Sequence, residues 1–308
     1  MKILLTGSTG MVGKNILDSP LASKYDFLTP SRIDLDLKNQ SEVFKYLKKN
    51  NPETIIHCAA IVGGIQANIN EPLLFLNDNL QINFNIIKSA NDLEIKNFLF
   101  IASSCIYPSI YNYPITEDML LTNVLEKTNE GYALAKITGL KMCEYIDRKE
   151  TYNYKTLIPC NLYGKYDNFN IETSHLIPAI INKLHNAKNN NTKTVEVWGT
   201  GDARREFMYA CDFADAVLFY VENLKKIPNY INVGIGKDYS VNEYYQIIAN
   251  VIGEKFEFIN NINKPEGMKR KLLDISLQQK LGWTPITSLE DGINSTYLYY
   301  LSKINEIN

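Results

Sequence analysis

A short apolar run, Lys2 to Thr6, stops at Gly7 and is followed by Ser-Thr-Gly10-Met-Val-Gly13. Three glycines placed directly after a strand and at the opening of a helix leave few folds available. The first permits a tight turn, the second lets the backbone approach a pyrophosphate, and the third lets the helix pack closely on the sheet while its N-terminus presents N–H donors. The triplet alone is weak, since a purely structural turn uses the same residues. Its position after an N-terminal strand is what gives it weight.

The segments that follow keep to that plan. Tyr25 to Thr29, Thr54 to Ala59, Phe98 to Ala102 and Lys155 to Pro159 are short apolar runs bounded by Gly, Pro, Ser or Asn, and read as buried strands. Helical patterns lie between them. Gln40 to Asn50 aligns Val43, Phe44 and Leu47; Phe75 to Leu93 aligns Leu76, Leu80, Phe84, Ile87 and Ala90; Tyr132 to Arg148 aligns Ala135, Leu140, Cys143 and Ile146. Strict alternation of strand and helix implies right-handed βαβ units, hence an α/β chain with a Rossmann-type doubly wound parallel sheet. After about residue 165 the pattern loosens. Lys188 to Lys193 reads as an exposed Asn-rich loop, Asn232-Val233-Gly234 closes a late strand, and Val241 to Ile252 with Leu289 to Leu301 supplies helices for a smaller C-terminal lobe. The expected division is a dinucleotide-binding unit over 1–165 with returns near 206–234, and a lobe over 166–205 and 235–308.

Composition bounds the function. At roughly 150 residues per domain, 308 residues suit two units. Lys plus Arg number 32 against 34 Asp plus Glu, a balance that builds no broad basic face for nucleic acid. Ile3-Leu4-Leu5 is shorter than a signal peptide's apolar region, and no run of about 18 apolar residues follows, so a soluble cytoplasmic protein without a membrane partner is expected. The five cysteines are scattered, with no C-x-x-C pair, and suggest neither a disulfide framework nor a metal site.

The chemistry gathers at three places. Where the second strand ends, no acid stands ready for a ribose 2′-hydroxyl; Ser31-Arg32 follows instead, and an arginine forks onto a 2′-phosphate, which favours NADP(H). Asp34 and Asp36 nearby keep the other reading open, as does Arg32 acting as a solvated surface charge. Asp36-Leu37 and Ala59-Ala60 are expected to border the adenine and pyrophosphate. Tyr132-Ala-Leu-Ala-Lys136 sets a phenol and an ammonium on one helix face. The charge of Lys136 is expected to lower the phenol pKa, so that Tyr132 exchanges a proton with a ketone oxygen as hydride moves. With 20 tyrosines such a spacing also arises by chance, and Ser103-Ser104, at the carboxyl edge of a strand, supplies the supporting donor to the same oxygen. Cys105 follows at once, and His175 sits in Thr173-Ser174-His175-Leu176-Ile177-Pro178. A thiolate and an imidazole on opposite faces of a sugar ring would epimerise carbon beside a ketone. A buried apolar cysteine and a structural histidine are the plain alternatives.

These residues resemble the GDP-L-fucose synthase family, the GDP-4-keto-6-deoxy-D-mannose 3,5-epimerase/4-reductases of the extended short-chain dehydrogenase/reductase superfamily. The resemblance runs through Gly10 to Gly13, Val62 to Ile65, Ser103 to Pro108, Asn129-Glu130 before Tyr132, Asn161 to Gly164, Asp167 to Phe169, Ser174-His175, Val197 to Gly199, Arg205 to Phe207 and Arg270 to Asp274. It implies reduction by Ser103, Tyr132 and Lys136, and epimerisation by Cys105 and His175. It implies cofactor contacts from Gly7, Ser8, Thr9, Gly10, Met11, Val12 and Gly13 in the turn. Ile101, Ala102, Ser103 and Ser104 after one strand, Pro159, Asn161 and Leu162 after another, and Lys136 and His175 complete that set. Lys183, Trp198, Arg205 and Asp274 are implied to hold the nucleotide sugar, and a homodimer is implied. Three positions depart from the family: Ser8-Thr9 for a basic pair, Lys183 for arginine, and Gly131 for proline. The departures leave room for a GDP-4-keto-6-deoxyheptose of capsule or lipopolysaccharide biosynthesis, or for a C4 reductase without epimerase activity. A dinucleotide-sensing regulatory protein on the same fold is the rival from another class.

Overall fold

The core grows outward from β1 (Lys2–Thr6), in which Ile3, Leu4 and Leu5 are fully buried. In the computed structural model, which describes residues 1–111, 114–170, 173–264 and 267–306, β1 lies between β2 (Asp26–Leu28) and β3 (Thr54–His57). β4 (Asn97–Ile101), β5 (Asn153–Pro159) and a late strand, Tyr230–Val233, extend the sheet beyond β3. All of these pairings are parallel. Strand order reverses at β1, so a crevice opens at the carboxyl ends of β1 and β3, where such sheets bind ligands.

Helices α1 (Met11–Asp18), α2 (Gln40–Asn50), α3 (Ile65–Asn70), α4 (Pro72–Asp92) and α5 (Glu130–Asp147) follow in order. On α4 the expected face is only partly right, holding for Ile87 and Ala90 alone. The helix buries Phe75, Ile82, Ile86, Ile87 and Ala90, whereas Phe84 is 45% exposed and Leu76 and Leu80 are only partly covered. Its apolar residues encircle the helix, so periodicity could not say which side meets the sheet. The uncovered side, with Leu73 and Leu74, continues onto Leu134 and Tyr145 of α5.

Beyond β5 come β6 (Asn161–Tyr163), α6 (Leu176–Asn189), β7 (Thr194–Trp198), β8 (Arg204–Arg205), β9 (Phe207–Tyr209) and α7 (Ala210–Glu222). The chain then forms β10 (the sheet's Tyr230–Val233), β11 (Tyr239–Ser240), α8 (Val241–Ile252), β12 (Glu257–Asn261), β13 (Arg270–Lys271), α9 (Ser276–Lys280) and α10 (Leu289–Asn305). α8 starts with a capping box of Ser240 and Glu243 and stops at Gly253 in the left-handed region, as its sequence demands. The expected Asn-rich loop begins later than supposed, because α6 still includes Lys188 and Asn189. α6, α8, α10, β7 and β12 enclose a second core around Ile180, Leu184, Tyr244, Ile248 and Ile293. Leu273 and Trp283 instead pack into the sheet's core, so within 235–308 the chain crosses back to the first unit once more. Among the described residues no helix is long and apolar enough to cross a membrane.

Candidate active site

Gly7 has φ +70°, and a Cβ there would stand 2.7 Å from Ala59 N. At Gly13 a Cβ would meet Gly7 O at 2.3 Å. Both contacts are backbone, so neither position tolerates a side chain, and α1 is pressed onto the turn. Gly10 caps α1 without a side-chain hydrogen bond, which leaves its first N–H groups for an anion. The turn forms one end of a cleft of about 440 Å³ whose walls include Thr9, Gly10, Met11, Val12, Arg32, Asp36, Leu37, Ala59, Ala60, Ile101, Ala102, Pro159, Asn161 and Leu162. Ser8 and Ser104, both expected at the cofactor, are buried and do not line this cleft.

At the rim, Asp34 is occupied: it accepts hydrogen bonds from the Ser31 N–H and hydroxyl, which hold its carboxyl below the usual range. Asp36 accepts from Lys38 N–H. Arg32 is exposed and makes no hydrogen bond or ion pair among the described residues. The cleft thus fits a dinucleotide, and the group free to meet a 2′-phosphate is a guanidinium.

The candidate catalytic residues other than Cys105 line the same cleft. Lys136, 2% exposed, donates from Nζ to Ile101 O at 2.7 Å and lies 5.8 Å from the centre of the Tyr132 ring. Burial pushes Lys136 down to about 8. The expected lowering of the Tyr132 phenol is not found: burial first, and then the neighbouring Cys105, raise it. Tyr132 keeps part of its surface in the cleft. A protonated phenol is the form an acid catalyst needs. Gly131 explains its own departure, since a Cβ there would stand 2.6 Å from Pro72 O, at the close approach of α4 to the start of α5.

Ser103 turns the chain after β4. Its Oγ accepts from Cys105 N–H at 3.4 Å and begins a single 3₁₀ turn that folds Cys105 beneath it. Cys105 is therefore only 7% exposed and does not line the cleft wall, whereas Cys58 and Cys160 do. Burial raises its thiol; Lys271, Ser103 and Lys136 act in the opposite direction. His175 precedes α6 on the facing side, lining the same cleft as Ser103 and Tyr132. Its ring is open to the cleft, and desolvation lowers its pKa. The resting pair is thus a thiol, which can give a proton, and a neutral imidazole, which can take one.

The residues implied to hold the sugar nucleotide do not line this cleft. Arg205 on β8 is in register with Lys271 on β13, and the Lys271 charge acts on the Cys105 thiol. Trp198 is 53% exposed with Lys264 Nζ 5.2 Å from its ring centre. Lys183 donates to Glu196 O, and Asp274 Oδ1 accepts from Ser276 N–H at 2.8 Å. Lys271 is a candidate that the sequence does not single out: a cation on a two-residue strand leaves no periodic signal, and only its place within Arg270 to Asp274 marks it.

A dinucleotide cleft lined by a Ser-Tyr-Lys set defines a dinucleotide-dependent enzyme of the extended short-chain type. The chain belongs to the NAD dependent epimerase/dehydratase family, whose model matches residues 3–236. It is 51% identical over 306 residues to the GDP-L-colitose synthase of Yersinia pseudotuberculosis, covering 99% of each chain. It is 47% identical over 301 residues to the GDP-L-fucose synthase of Azorhizobium caulinodans, covering 98% of this chain and 96% of that one. Among solved structures it is similar to the GDP-mannoheptose C4 reductase MlghC from Campylobacter jejuni with NADP bound, with a TM-score of 0.88, 32% identity, and coverage of 97% and 98%.

Proposed function

We propose that the chain is a bifunctional epimerase/reductase that takes a GDP-4-keto-6-deoxy sugar, epimerises it at C3, C5 or both, and reduces C4 with NADPH. The observation that carries this reading is the meeting of Ser103, Tyr132, Lys136 and His175 in one dinucleotide cleft, with Cys105 directly behind Ser103. Relatives named GDP-L-colitose synthase and GDP-L-fucose synthase support the substrate class.

NADPH, when bound, supplies hydride to C4. The chain does the rest. Cys105 and His175 remove and return protons at carbon flanking the ketone, while Ser103 hydrogen-bonds the C4 oxygen and stabilises the enolate. Tyr132 then gives its proton to that oxygen, and the Lys136 ammonium offsets the phenolate left behind. Arg205 and Lys271 would meet the diphosphate, Lys183 and Asp274 would line its approach, and Trp198 would offer a flat apolar face. A lobe over 166–205 and 235–308, closing on the sugar, would exclude water. Arg32→Ala is expected to weaken NADPH binding more than NADH binding; equal loss of both, by fluorescence titration, would remove the 2′-phosphate role.

A heptose substrate is the second reading; the likeness to a GDP-mannoheptose C4 reductase matches it without favouring it. Product NMR after incubation with the GDP-4-keto-6-deoxy hexose and heptose decides between them, and turnover of neither contradicts the assignment. The uncovered apolar face of α4 and α5 is proposed to pair with a second copy. Light scattering should give twice the 35.2 kDa chain mass, and Phe84→Glu should return the protein to monomer. Wild-type protein running as a monomer would refute that pairing.

A further inference from the structure

Thr6 and His57 are register partners on β1 and β3, and their side chains are 2% and 0% exposed. Polar groups enclosed this fully have to be paired, and here each role can be deduced. Asn83 Nδ2 donates to Ala135 O at 3.0 Å, which leaves Asn83 Oδ1 as the acceptor facing His57. His57 Nε2, 3.1 Å from that oxygen, therefore carries the ring proton. Nδ1 is left to accept from Thr6 Oγ1 at 2.7 Å, and Thr6 Oγ1 accepts in turn from Ala59 N–H at 3.3 Å. The ring also stacks on Phe100, with centres 5.7 Å apart. Burial, then the nearby Lys136 charge, push His57 down to about 3, so it stays neutral.

The two ends of this chain of bonds are informative. Ala59 is the residue whose backbone touches Gly7 of the dinucleotide turn. Ala135 lies on α5 between Tyr132 and Lys136. We infer that His57 is a positioning residue for the reduction step: through Asn83 and Thr6 it holds the Tyr132–Lys136 helix in register with the dinucleotide turn. This rests on the reading of the chain as an epimerase/reductase. Hydride transfer needs reacting atoms about 3–3.5 Å apart, and a displacement near 1 Å costs about 10²-fold. Proton exchange makes no such demand on the cofactor, and its groups, Cys105 and His175, lie outside the bonded chain.

Two reactions of the same protein separate positioning from mere packing. Reduction is followed in single turnovers with NADPH; exchange is followed as solvent-deuterium uptake into the substrate with NADP⁺ present, so that no hydride can be delivered. His57→Phe keeps a ring on Phe100 but leaves Asn83 Oδ1 buried and unpaired, which is destabilising. In the double variant His57→Phe/Asn83→Leu the His57–Asn83 contact is apolar on both sides and stability should return in part, the Thr6 hydroxyl and Ala135 O still lacking the partners they had. Positioning predicts that reduction is slowed roughly 10- to 100-fold in single and double variants alike, while exchange is unchanged. Should His57→Phe not accumulate as folded protein, the double variant carries the comparison. Equal loss of reduction and exchange, or recovery of reduction together with stability in the double variant, overturns the inference. Absence of both reactions in the unaltered protein overturns the functional reading, and this inference with it.

Discussion

Tyr132→Phe should slow NADPH oxidation roughly 10²- to 10⁴-fold, the range for losing a positioned general acid, with little change in NADPH affinity. The substitution removes one oxygen from a ring that keeps its place at the start of α5, and Lys136 still donates to Ile101 O. Within the Ser-Tyr-Lys set the phenol reaches the cleft, holds its proton across the working pH range because burial raises its pKa, and is still a far stronger acid than a serine hydroxyl. Ser103 can stabilise the C4 oxygen but does not readily give up a proton. Lys136 sets the pH profile: its ammonium form, with a pKa lowered to about 8, is present below that pH and lost above it. Reduction should therefore fall on the alkaline side of about pH 8, and Tyr132→Phe should lie low at every pH. A Tyr132→Phe enzyme that reduces at the unaltered rate would remove the phenol from the mechanism.

Cys105→Ser and His175→Asn should each suppress deuterium uptake at the carbon flanking the ketone by roughly 10²- to 10⁴-fold, while direct reduction of unepimerised substrate persists. The argument is one of complementary protonation. Burial keeps Cys105 a thiol and desolvation keeps His175 neutral, so the two groups carry one transferable proton between them. Replacing the thiol by a hydroxyl preserves volume but gives a far weaker acid. Asparagine preserves a donor and an acceptor but cannot titrate. Mass analysis of substrate recovered from D₂O reads the exchange without depending on hydride. Undiminished uptake in both variants would leave a C4 reductase whose epimerisation, if any, uses other groups.

What the sequence made legible was local. The glycine turn, Ser103, the Tyr132/Lys136 spacing and the ends of α2 and α8 all depend on residues within a few positions of one another, and the structure places them where the spacing puts them. Properties that depend on burial were not legible. Nothing near Tyr132 in sequence signals that its phenol is raised rather than lowered, because the cause is enclosure by segments far along the chain. The same holds for Cys105, folded beneath Ser103 by a single turn. On α4 the periodicity places Ile87 and Ala90 correctly but not Leu76, Leu80 and Phe84, because these are as apolar as the buried Phe75, Ile82 and Ile86. Strands of two residues, β8 and β13, are too short to show a period, and so Arg205 could be suggested only through family likeness while Lys271 passed unnoticed. His57 looks like one more residue of a buried strand; its bonds to Thr6 and Asn83 exist only after folding.

The central claim is that one site both epimerises and reduces. Its most direct test is a single incubation of the purified protein with NADPH and GDP-4-keto-6-deoxymannose in D₂O, following NADPH absorbance and then the product by NMR. The account predicts one NADPH consumed per sugar reduced, hydrogen from the cofactor at C4, and deuterium at C3, C5 or both. Consumption of NADPH with no deuterium at either flanking carbon, or deuterium uptake with no consumption of NADPH, would contradict it.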